Sequence, residues 1–219
     1  MKIDKNIINI LKNFAQNSLS LSVKKGNKIG VISESRNTIA EAYLPVPFER
    51  DFAVYDLSKF ISCLSMFYEP ELVFQESYVT ITDGNRSINY MYVDEELISK
   101  CVIPEHKLTT DPQVAEFNIT SQNLKDAEKA LSVLSVPNIV FEGKDGKLKM
   151  IVCDVKVDSG NNFEIIVGET DNNFKAIFLA ENIKILGDDY RIVLGQGVAK
   201  FYGNVIEYWI RYDHQSVMN

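Results

Sequence analysis

Apolar residues near the start of the chain fall at Ile3, Ile7, Ile8, Leu11 and Phe14. This three-to-four spacing predicts a half-buried helix from about Asp4 to Gln16, with Asp4 as its N-cap. The period then drops to two. Leu19–Val23 alternates, Lys25-Gly26-Asn27 turns, and Lys28–Ser33 returns as a second strand. Thr38–Leu44 is a third extended run. Asp56 caps a short helix over Leu57–Met66, with Leu57, Phe60, Ile61 and Leu64 facing inward. Strands are expected at Glu71–Gln75, Tyr78–Thr82 and Ser87–Val93, the last two joined across Asp83-Gly84. The stretch from about 94 to 112 keeps no period and holds Pro104 and Pro112, as a connector would.

Beyond the connector the order repeats. Phe117–Ile119 is a strand, and Thr120 caps a helix reaching Leu134. Strands follow at Asn138–Phe141, Leu148–Asp154, Phe163–Gly168 and Phe174–Phe178. A short helix is expected over Ala180–Leu186, stopped by Gly187, before strands at Tyr190–Leu194, Val198–Tyr202 and Ile206–Tyr212. Val54-Tyr55-Asp56-Leu57 leads into the first short helix as Ile177-Phe178-Leu179-Ala180 leads into the second. The chain therefore reads as α+β, two similar domains at 1–108 and 109–219.

The 219 residues are 46% hydrophobic and 24% charged, ordinary values for packed domains. No run approaches the ~20 apolar residues of a membrane span, and the N-terminus lacks a signal peptide's continuous apolar centre. A cytoplasmic protein is expected. Cys63, Cys101 and Cys153 form no CxxC pair and read as buried, reduced thiols. Neither His106 nor His214 sits at a metal-ligand spacing, so no metal or cofactor is expected. Gly195-Gln196-Gly197 lies between two strands with no helix after it, unlike a dinucleotide loop. No phosphate-loop, GxSxG or HExxH motif occurs. Catalysis is not expected.

The net charge of -7 argues against a basic surface overall. The helices tell a different story. Lys5, Asn9, Lys12 and Gln16 form one stripe opposite the apolar face of the first helix. Gln122, Lys125, Lys129 and Ser132 do so on the third, although Asp126 and Glu128 flank that stripe. Lys59 stands on the polar side of the second helix and Lys184 on that of the fourth. Lysine mixed with amides suits contact with phosphates without base reading.

Several segments resemble the sliding clamps of T-even-type bacteriophages. They are Leu11-Lys12-Asn13-Phe14-Ala15, Phe52-Ala53-Val54-Tyr55-Asp56-Leu57 with Phe60 and Leu64-Ser65, Ala180-Glu181-Asn182-Ile183-Lys184-Ile185, and Asp189-Tyr190-Arg191-Ile192-Val193-Leu194. The resemblance implies two clamp domains per chain, each with two helices on an inner face and antiparallel strands outside. It also implies a closed homotrimeric ring. Twelve helices ~9 Å apart give a circle about 34 Å across. Subtracting a ~10 Å helix diameter leaves roughly 24 Å, against about 13 Å for a dimer's eight helices. Three chains are then needed to admit a duplex.

In this reading Lys5, Asn9, Lys12, Gln16, Lys59, Gln122, Lys125, Lys129 and Lys184 face double-stranded DNA, without sequence preference. The implied partners are a DNA polymerase and a clamp loader, with transcription factors as further candidates. If the chain is viral, the setting is the host cytoplasm. Docking is assigned to the proline-interrupted apolar loop Leu44-Pro45-Val46-Pro47-Phe48, through Leu44, Val46 and Phe48. Val102, Ile103 and Pro104 of the connector join them. Apolar loop residues also serve as mere covers for a core. The rival from another class is a phage structural or assembly subunit of duplicated α+β domains, and an enzyme with an unrecognised site is a third.

Overall fold

The carboxylate of Asp4 accepts the Ile7 N–H at 2.8 Å, satisfying one of the donors that a helix start leaves open. Helix α1 (Lys5–Asn17) follows and buries Ile7, Ile10, Leu11 and Phe14. Ile8 is only half-buried, so Ile10 takes the place expected of it. The structure is a computed structural model describing residues 1–103, 110, 113–213 and 215–218. It divides into two compact units, Met1–Glu105 and His106–Asn219.

In the first unit β1 (Leu21–Val23), β2 (Gly26–Ile32), β3 (Thr38–Phe48) and β4 (Phe52–Val54) pair antiparallel in the order β4-β1-β2-β3. Helix α2 (Leu57–Leu64) packs against α1. Strands β5 (Glu71–Phe74), β6 (Tyr78–Thr82) and β7 (Ser87–Met91) form a three-stranded sheet. Lys2 bridges to Glu71 beside β5.

One expectation fails here. Residues 44–48 are the end of β3, not a loop. Gly26 pairs with Phe48 and Lys28 with Tyr43, so the ladder bulges across Pro45 and Pro47. Neither proline has an N–H to give to a ladder, and a bulge accommodates both. Leu44 and Phe48 turn inward and are 2% and 3% exposed. The Phe48 ring meets Phe52 and Phe74 at centroid distances of 5.4 and 6.2 Å. These two are core residues. The exposed neighbours are Tyr43 and Val46.

The second unit repeats the plan. After β8 (Ala115–Ile119) and α3 (Ser121–Leu134) come β9 (Asn138–Lys144), β10 (Lys147–Cys153), β11 (Phe163–Glu169) and β12 (Phe174–Leu179). They pair as β11-β10-β9-β12, matching the order of β3, β2, β1 and β4. Strands β13 (Tyr190–Leu194), β14 (Val198–Tyr202) and β15 (Ile206–Arg211) follow, with β8 beside β13 as Lys2 lies beside β5. A terminal β16 (Val217–Met218) pairs with β12.

Phe141, Phe178, Phe201, Tyr190 and Tyr208 form an edge-to-face chain through this core, successive centroids 5.9 to 6.1 Å apart. On the opposite sheet face Lys200 lies 4.0 Å from the Tyr202 centroid and 4.4 Å from that of Trp209, and pairs with Glu207 at 2.9 Å. Cys63, Cys101 and Cys153 are free thiols, half-buried rather than buried. Among the described residues no helix is long and apolar enough to cross a membrane.

Candidate nucleic-acid interface

The stripe on α1 reaches solvent as its spacing requires. Lys5, Asn9, Lys12 and Gln16 are exposed, and no carboxylate occurs within the helix. On α2, Asp56 accepts the Lys59 N–H at 2.8 Å, and the Lys59 side chain is exposed. Helix α3 begins in a reciprocal box. The Thr120 hydroxyl accepts the Asn123 N–H at 3.2 Å, and the Asn123 side-chain oxygen accepts the Thr120 N–H at 2.9 Å. Asp189 adds an acceptor for the Ser121 N–H at 2.6 Å. Gln122, Lys125, Lys129 and Ser132 are exposed, but Gln122 donates its amide to Asp126 at 2.9 Å. One member of that stripe is thus partly committed to its own helix.

The fourth expected helix is not one. Ala180–Asn182 makes a single 310 turn, and Leu179 supplies no side-chain cap. An α-helix through Leu186 would send the Leu186 N–H to the Asn182 carbonyl. Instead it donates to the Tyr208 hydroxyl at 3.0 Å, while the Tyr190 hydroxyl donates to the Leu186 carbonyl at 2.7 Å. Burial pushes both phenols well above their ordinary pKa, so they stay protonated and able to donate. Lys184 is exposed, on an irregular segment rather than a helix face.

Pairing separates these lysines from several elsewhere. Among the described residues Lys5, Lys12, Lys59, Lys125 and Lys129 take part in no ion pair. By contrast Lys28 meets Glu41 at 2.6 Å, Lys149 meets Glu164 at 2.7 Å and Arg191 meets Glu116 at 3.1 Å. An unpaired exposed ammonium can approach an external phosphate without first breaking an existing ion pair.

The connector residues lie elsewhere in the first unit. Glu95 accepts from Lys24 at 2.7 Å and from the Ser22 hydroxyl, and these bonds hold its carboxyl below its ordinary pKa. A shallow cleft of about 180 Å³ opens beside them, its charged groups Lys24, Asp51 and Glu95 paired with one another. Farther along, Val102 and Ile103 are half-buried. A Cβ at Gly30 would stand 2.7 Å from Ile103 Cδ1 and 2.8 Å from the Ala40 carbonyl oxygen. Glycine is what lets Ile103 rest on β2. Pro104 lies outside the described residues. Tyr43, 60% exposed on the strand next to β2, is an apolar surface residue that the loop assignment misses. Successive side chains of a strand point to opposite faces, so an extended Thr38–Leu44 puts Tyr43 on the face opposite Leu44.

The duplicated arrangement of helices on antiparallel sheets is the fold of DNA sliding clamps. The chain superposes on PCNA from Thermococcus kodakaraensis with a TM-score of 0.71, at 17% identity, over 97% of this chain and 99% of that one. An A. fulgidus PCNA bound to the C-terminal region of FEN-1 gives 0.70 at 13% identity, covering 96% of each. Residues 116–213 match the family described as gp45 sliding clamp, C terminal. The sliding clamp of Vibrio phage KVP40 is 31% identical over 216 residues, which is 96% of this chain and 98% of that protein. This chain belongs to the phage sliding-clamp family. That membership decides against the assembly-subunit alternative.

Proposed function

We propose that the chain is a processivity factor: three copies close a ring around duplex DNA and tether the replicative polymerase to its template. Each copy supplies two clamp domains, 1–108 and 109–219, whose helices line the hole. The 310 turn at Ala180–Asn182 fills the fourth helical position. The observation that carries this reading is the set of exposed, unpaired lysines on α1, α2 and α3 in a chain of net charge -7. Asn9, Gln16, Gln122 and Lys184 join them at the DNA side. Weak phosphate screening without base contacts lets a ring slide. Tethering needs no catalytic group or cofactor.

Closure has a structural rationale. The outer edge of β4 is covered where the Val93 N–H donates to the Ala53 carbonyl, and that of β12 by β16. Among the described residues, the outer edges of β7, β8 and β11 have no strand beside them. Such edges invite pairing, and joining β7 of one copy to β11 of the next closes a ring.

Clients dock, on this reading, by an apolar tail on the outer face of β2 and β3, at Tyr43, Val46, Val102 and Ile103, with Pro104 next in sequence. A clamp loader opens the ring, in the host cytoplasm. Light scattering behind a sizing column should give a species near three times 24.8 kDa that falls toward monomer on dilution. Monomer or dimer at every concentration would exclude the ring. Changing Lys12 and Lys125 together to Glu should abolish DNA-dependent stimulation of the polymerase. Ile103→Ala should weaken binding of a polymerase tail peptide, and unchanged affinity would remove the connector from the docking site.

A further inference from the structure

The two units offer unequal charge to whatever lies along their helices. In the first, α1 and α2 carry Lys5, Lys12 and Lys59 and no carboxylate. In the second, the corresponding segments carry three lysines against three carboxylates. Lys125 and Lys129 share α3 with Asp126 and Glu128, and Lys184 follows Glu181. Glu128 and Glu181 are exposed and Asp126 is half-buried.

The carboxylates flank the α3 stripe closely. At about 100° per residue, Asp126 lies on one side of Lys125 and Glu128 on the other, each within reach of a phosphate approaching the lysines. Capping aspartates do not remove the contrast. Asp4 and Asp56 sit at helix N-termini, where they accept helix N–H groups and offset the helix dipole, and Asp189 does the same for α3.

We infer that the N-terminal unit alone grips the DNA backbone, through Lys5, Lys12 and Lys59, while the C-terminal unit presents a charge-balanced face past which phosphates slide. This rests on the ring reading above. Around a closed trimer the attraction then alternates, three holding sectors separated by three neutral ones. A duplex in such a field is drawn toward the N-terminal helices rather than centred by six equal attractions. Each neutral sector keeps the phosphates moving, because a lysine that attracts one is matched by a carboxylate that repels it.

Two neutralised variants test this: a triple, Lys5→Gln with Lys12→Gln and Lys59→Gln, and a charge-balanced sextuple, Lys125→Gln, Lys129→Gln and Lys184→Gln with Asp126→Asn, Glu128→Gln and Glu181→Gln. Exposed lysines leave the core untouched, and light scattering checks that each variant keeps the assembly of the parent chain. Binding to a fluorescein-labelled linear duplex is followed by anisotropy over a range of salt. The N-terminal triple should weaken binding about ten-fold or more and flatten the log–log salt slope by roughly 0.9 for each phosphate that is no longer neutralised. The C-terminal sextuple should change affinity less than about two-fold, since it removes as much repulsion as attraction and leaves the net charge of that face as it was. Equal weakening by both variants would overturn the one-sided grip and leave the ring reading standing. No effect from either would overturn both, because the helix faces would then not meet DNA.

Discussion

The two units solve one junction alike and then part. In the first, the Leu57 N–H donates to the Leu19 carbonyl and the Ser20 hydroxyl to that of Tyr55, at 2.8 and 2.5 Å. In the second, the Ala180 N–H donates to Pro137 at 2.8 Å and the Asn138 amide to Phe178 at 3.5 Å. These bonds sit at equivalent places and fix where the chain leaves β4 and β12. Beyond them Asp56 caps an α-helix, whereas Leu179 caps nothing and a single turn forms. The crossing is what the fold preserves. Whether a helix follows depends on one acceptor and on what holds the backbone downstream.

The units also pack their long helices differently, and this gives the largest expected effect. Helix α1 buries Phe14 and Leu11 where α3 buries Ala127 and Ala130. Phe14→Ala should cost about 3–5 kcal/mol in urea unfolding. Ala130→Gly should cost only about 1 kcal/mol, and comparable losses would mean α3 is packed as heavily as α1.

Alkaline pH should strike the second unit next. The folded state holds Tyr190 and Tyr208 protonated above the unfolded value of about 10. Stability from them is therefore complete below pH ~10 and is lost as pH rises toward the folded values. The two together should cost about 3 kcal/mol by pH 11. Thermal unfolding of the Tyr190→Phe variant should lose about half of that alkaline sensitivity. An unchanged pH profile would mean the phenols titrate freely.

Asp56→Ala should remove about 1 kcal/mol by taking the cap from α2. Smallest of all, Leu179→Asp should add no helical circular dichroism, because Tyr208 still holds the Leu186 N–H. A clear gain in helicity would show that the missing cap alone forbids the fourth helix.

Most of this architecture is legible from periodicity. Asp4, Asp56 and Thr120 announce the starts of α1, α2 and α3, and all three accept the expected helix N–H groups. The exposed stripes follow from the same periodicity. The misreadings share a cause. Ala180–Leu186 has a helix-like composition, and what prevents the helix is a pair of hydroxyls on Tyr190 and Tyr208, outside the segment itself. Pro45 and Pro47 suggest a loop, yet a bulge in the pairing with Gly26 and Lys28 keeps them in a strand. The short strands β4 and β16 owe their assignment to partners distant in sequence, which no local period reveals. The surface proposed for docking is only half-legible for the same reason. Alternation gives the face of Tyr43, but only the packing of Ile103 on Gly30 shows the connector lying across β2.

Trp209, wedged beside Lys200, is the single tryptophan of the chain, and it belongs to the second unit. Tryptophan fluorescence is therefore a local reporter. It reports on its own strand and the packing around it, whereas circular dichroism sees both units. Melting curves from the two signals, overlaid, reveal whether the halves of the molecule come apart together or in turn, with no label attached.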